Sequence, residues 1–311
     1  MVKIVKSRRV YEGSFNVIEG YSLDDTGRVY SFGWMYSLSN KFYLELCYGS
    51  IARLTQRDSS IEYEVYSTGS KCWEEAIDRI PWVMGFQEDY SWFYSIARGD
   101  VLLGGVVEAM PGYRLRATST WQAAIVAIAQ QNASFRQGWG MVYRLYLNTS
   151  RRIKLPGGGV FLETPSPEAV GVEAARASGY GYRAETISRV AELARKYSGE
   201  DLVDRLLEVR GIGSYSYSLA RLFALKDYSV KPIDRWSRKL LAIAYHVDPR
   251  LVEEELDKRY PSWAGLALLL LTIAFDAEVT RRAIERLKKR ENKPGLVEPS
   301  PVSLWKYTPP R

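Results

Sequence analysis

Up to about residue 70 the chain alternates apolar and polar side chains in short runs. These are Val10-Tyr11 to Phe15-Asn16-Val17, Tyr30-Ser31-Phe32, Phe42-Tyr43-Leu44-Glu45-Leu46 and Ile61-Glu62-Tyr63-Glu64-Val65. A period of two, with turn residues at Asp25–Gly27 and Tyr48–Ser50, predicts an antiparallel sheet with one covered face. From Trp73 onward the period becomes helical. Trp121–Ala129 reads as an apolar helix ending in Gln130, Gln131 and Asn132, and Leu266–Phe275 as a buried one. Leu202, Leu206 and Val209 predict an amphipathic helix over 201–210. Gly211 and Gly213 break it, and a second helix follows with Ser214 at its N-cap and Leu219, Leu222, Phe223 and Leu225 facing inward. Pro232 disfavours helix at Lys231, which makes Asp234 the N-cap of a helix over 235–244 ending near His246. Arg151–Pro167, with Pro156, Gly157–Gly159, Pro165 and Pro167, predicts a loop. The Pro-rich tail after Asn292 predicts an extended, partly packed segment.

Two of these elements carry chemistry. Gly211-Ile212-Gly213 between two helices permits positive φ and a close backbone approach. The next helix presents unbonded N–H groups and a positive dipole end, starting at Ser214 and running towards Ser216, which together can hold a phosphate. Asp234 stands where a helix begins, so its carboxylate is held in place. There it can stabilise positive charge developing on a sugar or activate a water. A helix–turn–helix connection and a plain cap account for the same residues without any chemistry.

The residues GIGSYSYSLARLFAL followed by KPIDRW resemble the helix-hairpin-helix/Gly-Pro-Asp motif of the base-excision DNA glycosylase superfamily. Trp82–Asn132 is similar to helices of the alkylpurine (3-methyladenine) and 8-oxoguanine branches. Gly138–Leu145 and Ser178–Ile187 match further helices in the same order. The resemblance runs from about Trp82 to Trp263. It implies an α+β protein: an antiparallel β lobe over 1–75 followed by a mostly helical two-lobed core. One helical lobe comprises 76–120 and 246–292; the other, 121–245, holds the hairpin (201–225) and Asp234, with a tail at 293–311. It further implies a monomer that acts on double-stranded DNA containing damaged bases by flipping a base from the stack.

The site residues follow from that resemblance. Asp234 is catalytic, and Gly211, Ile212, Gly213, Ser214 and Ser216 bind the DNA backbone. Asn132 or Gln131 fills the gap left by the flipped base, with Phe135 as an alternative wedge. Trp121, Tyr215, Tyr217 and Trp236, with Trp139, are candidate walls for the base, where aromatic faces suit a cationic alkylated purine. Where the 8-oxoguanine branch has a lysine two positions past the second glycine, this chain has Tyr215. That departure implies hydrolysis of the glycosidic bond without strand cleavage. A bifunctional glycosylase/lyase using a relocated lysine (Lys226, Lys231 or Lys239) is one alternative; a non-catalytic DNA-binding module is another.

Composition narrows the picture. The 311 residues are 46% hydrophobic and 25% charged, as in a globular protein, with no apolar run long enough for a membrane span. MVKIVKSRRV lacks a signal-peptide stretch, so the expected location is cytoplasmic or nucleoid-associated. Two cysteines, Cys47 and Cys72, cannot hold a four-cysteine iron–sulfur cluster, and one histidine does not suggest zinc. No cofactor is expected, with a monovalent cation at the hairpin left open. The two thiols are expected to be separate rather than bridged. The net charge is +7, and positions 109–162 hold no acid beside Arg114, Arg116, Arg136, Arg144, Arg151, Arg152 and Lys154. That interval is expected to face a polyanion. The run Arg281, Arg282, Arg286, Lys288, Lys289 and Arg290 is expected to suit a helix C-terminus.

Overall fold

The computed structural model describes residues 4–30, 36–37, 41–155 and 159–306. The expected strand at Tyr30-Ser31-Phe32, the turn residues Pro156, Gly157 and Gly158, and Pro309 and Pro310 fall wholly or partly outside them. Strands β1 (Ile4–Lys6), β2 (Arg8–Asn16), β3 (Tyr36–Ser37), β4 (Lys41–Cys47), β5 (Ser50–Arg57) and β6 (Ser60–Ser67) occupy the N-terminal region. β2 to β6 form an antiparallel sheet in the order β2-β6-β5-β4-β3. Phe42, Leu44, Ala52, Leu54, Ile61, Tyr63 and Val65 line one face and pack on Ile77, Ile80, Met84 and Phe86. Alternation places Ile51 and Tyr66 on the other face, against Ile153, Leu155 and Phe161.

The sheet is therefore covered in part on both faces, a correction to the single covered face expected. The covering comes from strands within the segment read as loop: β7 (Arg152–Lys154) and β8 (Val160–Leu162) pair antiparallel, and β1 adds parallel to β7. Asp25–Gly27, expected as a turn, lies in helix α1 (Leu23–Arg28), capped by Ser22.

Cys47 and Cys72 form a disulfide, where separate thiols were expected. It joins the end of β4 to the entry of the helical region and closes a loop of sequence separation 25. Such a crosslink removes chain entropy from the unfolded state equivalent to about 3 kcal/mol.

The helical region is one continuous core. Its principal helices are α2 (Thr120–Gln130), α3 (Phe135–Thr149), α4 (Ala184–Ala194), α5 (Gly199–Arg205), α6 (Ser214–Leu225), α7 (Arg235–Tyr245), α8 (Ala264–Ala274) and α9 (Thr280–Lys288). α2 and α8 are buried almost throughout, as their unbroken apolar sequences require. No helix among the described residues is long and apolar enough to cross a membrane.

The acid-free interval does not form one cationic face. Arg114 and Arg116 are buried, and they bond main-chain oxygens of Glu88 and of Val29 and Tyr30 respectively. Arg151 pairs with both oxygens of fully buried Glu163, whose Oε1 also accepts from Gly49 N at 2.6 Å. Beside them Glu45 accepts both the Thr164 amide (2.9 Å) and hydroxyl (2.7 Å).

Burial pushes the Glu45 carboxyl up to about 7, more than the Thr164 bonds lower it. Its protonated form is thus favoured by folding, and this contribution to stability falls as pH rises from 4.5 through about 7. Thermal melts of wild type and Glu45→Gln across that range test this. The variant, which cannot ionise, is expected to gain stability relative to wild type with rising pH; a constant difference contradicts the assignment.

Candidate nucleic-acid interface and active site

The hairpin forms where the glycines stand. α5 ends in a short 3-10 turn, Leu206–Glu208, and Gly211 has φ +102. A Cβ at Gly211 would overlap the Thr186 side chain of α4, so neither the conformation nor the space admits another residue. Gly213, not Ser214, is the N-cap of α6; Ser214 is its first helical residue. Among the described residues no side chain caps this end, so the first-turn N–H groups from Ser214 to Ser216 have none of the side-chain partners that usually satisfy them. Gly211, Gly213 and Ser214 are exposed and Ile212 is half-buried, whereas Ser216 is buried. The Ser216 hydroxyl accepts from Gln131 Nε2 at 2.8 Å, which places its side chain in support of the loop.

α7 begins as its sequence requires. Asp234 is its N-cap in extended backbone, with a capping box to Ser237. Oδ1 accepts the Ser237 amide and hydroxyl, both at 2.7 Å, while Oδ2 takes no donor among the described residues. One oxygen anchors the carboxylate and the other is available. Asp234 is exposed, at the mouth of a cavity of about 290 Å³. That volume suits a small planar group.

Tyr215, from the first turn of α6, lines the same cavity with Trp139, Trp236, Leu268 and Leu269. Burial, with the Asp234 charge as a second cause, pushes the Tyr215 phenol up. Tyr30 and Phe135 also line it. Tyr30 stacks on Trp139 with centroids 5.7 Å apart, and Phe135 lies 6.2 Å from Trp139. Burial likewise pushes the Tyr30 phenol up. Phe135 therefore packs in the cavity wall, not at the surface where a wedge would act.

Two expected walls lie elsewhere. Trp121 is buried, donates Nε1 to Pro165 O at 2.7 Å and faces a different cavity beside the β-sheet. Tyr217 points to Arg221, 3.2 Å from its hydroxyl. The helical period separates Tyr217 from Tyr215 by about 200°, so one helix face cannot present both.

Gln131 and Asn132 follow α2 but differ in freedom. Gln131 Nε2 donates to Gly211 O at 2.9 Å as well as to Ser216, and its carbonyl is held by Arg183. It is a strut under the hairpin. Asn132 is exposed at φ 45, with its amide 3.4 Å from the hydroxyl of Tyr182, itself 68% exposed. The arrangement leaves Asn132 as the projecting residue, with Tyr182 beside it.

Among the lining residues the sequence reading did not assign to the site are one aromatic and two polar groups that shape it. Tyr30 reaches the cavity from the N-terminal region; Gln130 and Glu278 are polar groups in its wall. Glu278 sits in a loop held by Arg286, which is buried and paired to Asp276 and Glu278, not displayed at a helix end with the other C-terminal cations.

The sequence matches no protein-family model and no curated protein. Solved structures do match. The 3-methyladenine DNA glycosylase from Archaeoglobus fulgidus aligns with TM-score 0.65 at 19% identity, covering 84% of this chain and 97% of that one. MBOgg1 in complex with a low-affinity DNA ligand aligns with TM-score 0.65 at 17% identity, covering 90% and 98%. The chain shares the fold of DNA glycosylases. The 8-oxoguanine glycosylase/lyase of Clostridium acetobutylicum agrees, with TM-score 0.62 at 13% identity over 87% of this chain and 99% of that one. The N-terminal sheet and helical core are thus both part of the glycosylase fold.

The hairpin and the residue that follows α2 make separable predictions for a chain that binds duplex DNA. Gly211→Val is expected to weaken binding to any duplex, damaged or not, because strain at the turn displaces the α6 amides. Asn132→Ala is expected to weaken binding only to duplexes holding a flipped or missing base. Fluorescence anisotropy on undamaged and abasic-site duplexes checks both, and unchanged binding by either variant contradicts its assigned role.

Proposed function

We propose that the protein is a monofunctional base-excision DNA glycosylase that removes a damaged purine, of the alkylated class, from duplex DNA. The observation that carries this reading is the uncommitted Asp234 Oδ2 at the mouth of an aromatic cavity, beside the open end of the hairpin helix. First-turn amides of α6 hold a backbone phosphate next to the lesion. The base turns into the cavity between Tyr215, Trp139 and Trp236, and Asn132 enters the space it leaves. As the C1′–N bond breaks, its electron pair leaves with the base. Asp234 stabilises the cationic sugar and accepts a proton from the water whose oxygen bonds C1′. Cleavage of this kind needs no cofactor; a monovalent cation at the hairpin would add only to phosphate binding. The chain would act as a monomer where the DNA lies, in the cytoplasm or on the nucleoid.

Lysine placement supports hydrolysis over lyase chemistry. No lysine is among the residues lining the cavity. Lys226 is buried in an ion pair with Glu88 at 2.8 Å, and Lys231 pairs with Asp257 at 2.5 Å. Lys239 is exposed on α7. The solved neighbours include both a 3-methyladenine glycosylase and an 8-oxoguanine glycosylase/lyase, and the lack of an amine among the cavity-lining residues favours the hydrolytic chemistry.

Duplexes each carrying one modified base, treated with the protein and then alkali, test the proposal. Wild type is expected to leave alkali-labile but uncut strands, and borohydride is expected to trap no covalent complex. Asp234→Asn keeps an N-cap residue and should fold normally. It is expected to lose about 10²–10³-fold in excision rate while still binding abasic duplex. Excision by this variant at the wild-type rate contradicts the role of Asp234, and efficient trapping contradicts the monofunctional assignment.

A further inference from the structure

The cavity wall that Glu278 forms beside Trp236 is built around one arginine. Every N–H of Arg286 has an acceptor: Nε bonds Glu291 O at 3.0 Å; Nη1 bonds Asp276 Oδ2 at 3.0 Å and Glu278 Oε2 at 3.1 Å; Nη2 bonds Ala274 O at 2.8 Å and Lys293 O at 2.7 Å. Five donors on five acceptors fix the plane of the guanidinium and, through it, the Glu278 carboxylate. Asp276 is also bound by the amides of Gly295 (2.7 Å) and Leu296 (3.0 Å), so the C-terminal segment locks the same loop.

The loop is strained where it meets the cavity. Asp276 (φ 53) and Ala277 (φ 50) are consecutive non-glycine residues in the left-handed region. Such conformations persist only where the surroundings over-determine them. What this strain places in the wall is Glu278, whose carbonyl accepts the Trp236 indole at 2.7 Å. Oε2 is committed to Arg286, while Oε1 takes no donor among the described residues. Gln130, also in the wall, has a buried amide nitrogen with no protein acceptor. Besides Asp234 and the hydroxyls of Ser134, Thr272 and Thr280, the pocket thus offers one fixed acceptor and one unpaired donor.

We propose that Glu278 is a specificity-determining residue: Oε1 accepts an N–H from the flipped base. The site then selects purines that keep a ring N–H or exocyclic amine on that edge over those whose edge carries only acceptors and carbon. A base without the donor displaces water from this carboxylate oxygen and leaves it unpaired, which costs more than the bond itself contributes. This inference rests on the glycosylase reading, because it requires a base in the cavity. Glu278 differs in role from Asp234: it meets the base, not the sugar.

Glu278→Gln tests it. The side chain keeps its size, its carbonyl oxygen stays on Arg286, and an NH2 donor replaces the acceptor facing the base. Single-turnover excision is measured on duplexes carrying 7-methylguanine or hypoxanthine, which present N–H donors, and 1,N6-ethenoadenine, whose edge has none. The variant is expected to lose about tenfold or more on the first two and to keep or gain rate on the third. Its affinity for an abasic-site duplex, which holds no base to read, is expected to match wild type. Equal losses on all three lesions, or loss of abasic-site binding, would reduce Glu278 to a structural role and overturn the inference. So would a wild-type enzyme that prefers ethenoadenine. Excision of no lesion by wild type overturns the glycosylase reading itself and this inference with it.

Discussion

The two hydrogen bonds from Ser237 to a single oxygen of Asp234 are the constraint on which the rest depends. A helix N-terminus needs an acceptor, and Asp234 supplies it with Oδ1 alone. The same bonds stop the carboxylate from rotating, so Oδ2 stays fixed at the cavity mouth. In the proposed function, capping and chemistry are therefore one arrangement of one side chain. Pro232 contributes by setting the extended entry to the cap and by lining the cavity.

Around that carboxylate the molecule joins parts distant in sequence. The hairpin is braced from beneath by Gln131 and by the close approach of Gly211 to Thr186. The cavity lining includes Tyr30, whose backbone amide donates to Pro301 O and whose carbonyl is held by Arg116. The rim depends on Arg286 and Asp276, which tie the loop after α8 to the C-terminal segment. The segment beyond Asn292, extended in sequence, thus fixes two sides of the site, with Ser300, Ser303 and Leu304 buried.

What was legible in the sequence was local. Glycines at a turn, a proline before a cap and the 3.6-residue period determine α6, α7 and their ends within a few neighbouring residues, so the hairpin and Asp234 could be placed directly. What was hidden depends on contacts far apart along the chain. The parallel pairing of β1 with β7, the Cys47–Cys72 bridge and the arrival of Tyr30 in the cavity leave no local periodicity. The acid-free interval misled for a related reason: charge counted along a chain does not say which arginines are buried, and Arg114 and Arg116 serve the interior. Trp121 failed as a base wall because a tryptophan in an all-apolar helix is equally at home in a core. Glu278 went unnoticed because a lone acid after a buried helix looks like ordinary surface until Arg286 is seen beside it.

The most direct measurement is a crystal structure of the protein with duplex DNA bearing a cationic pyrrolidine in place of one deoxyribose. The account predicts the ring nitrogen about 3 Å from Asp234 Oδ2, within hydrogen-bond reach. It also predicts a flanking phosphate on the amides of Ser214 to Ser216 and Asn132 inside the duplex. A sugar analogue docked away from Asp234, with the hairpin free of phosphate, would contradict it.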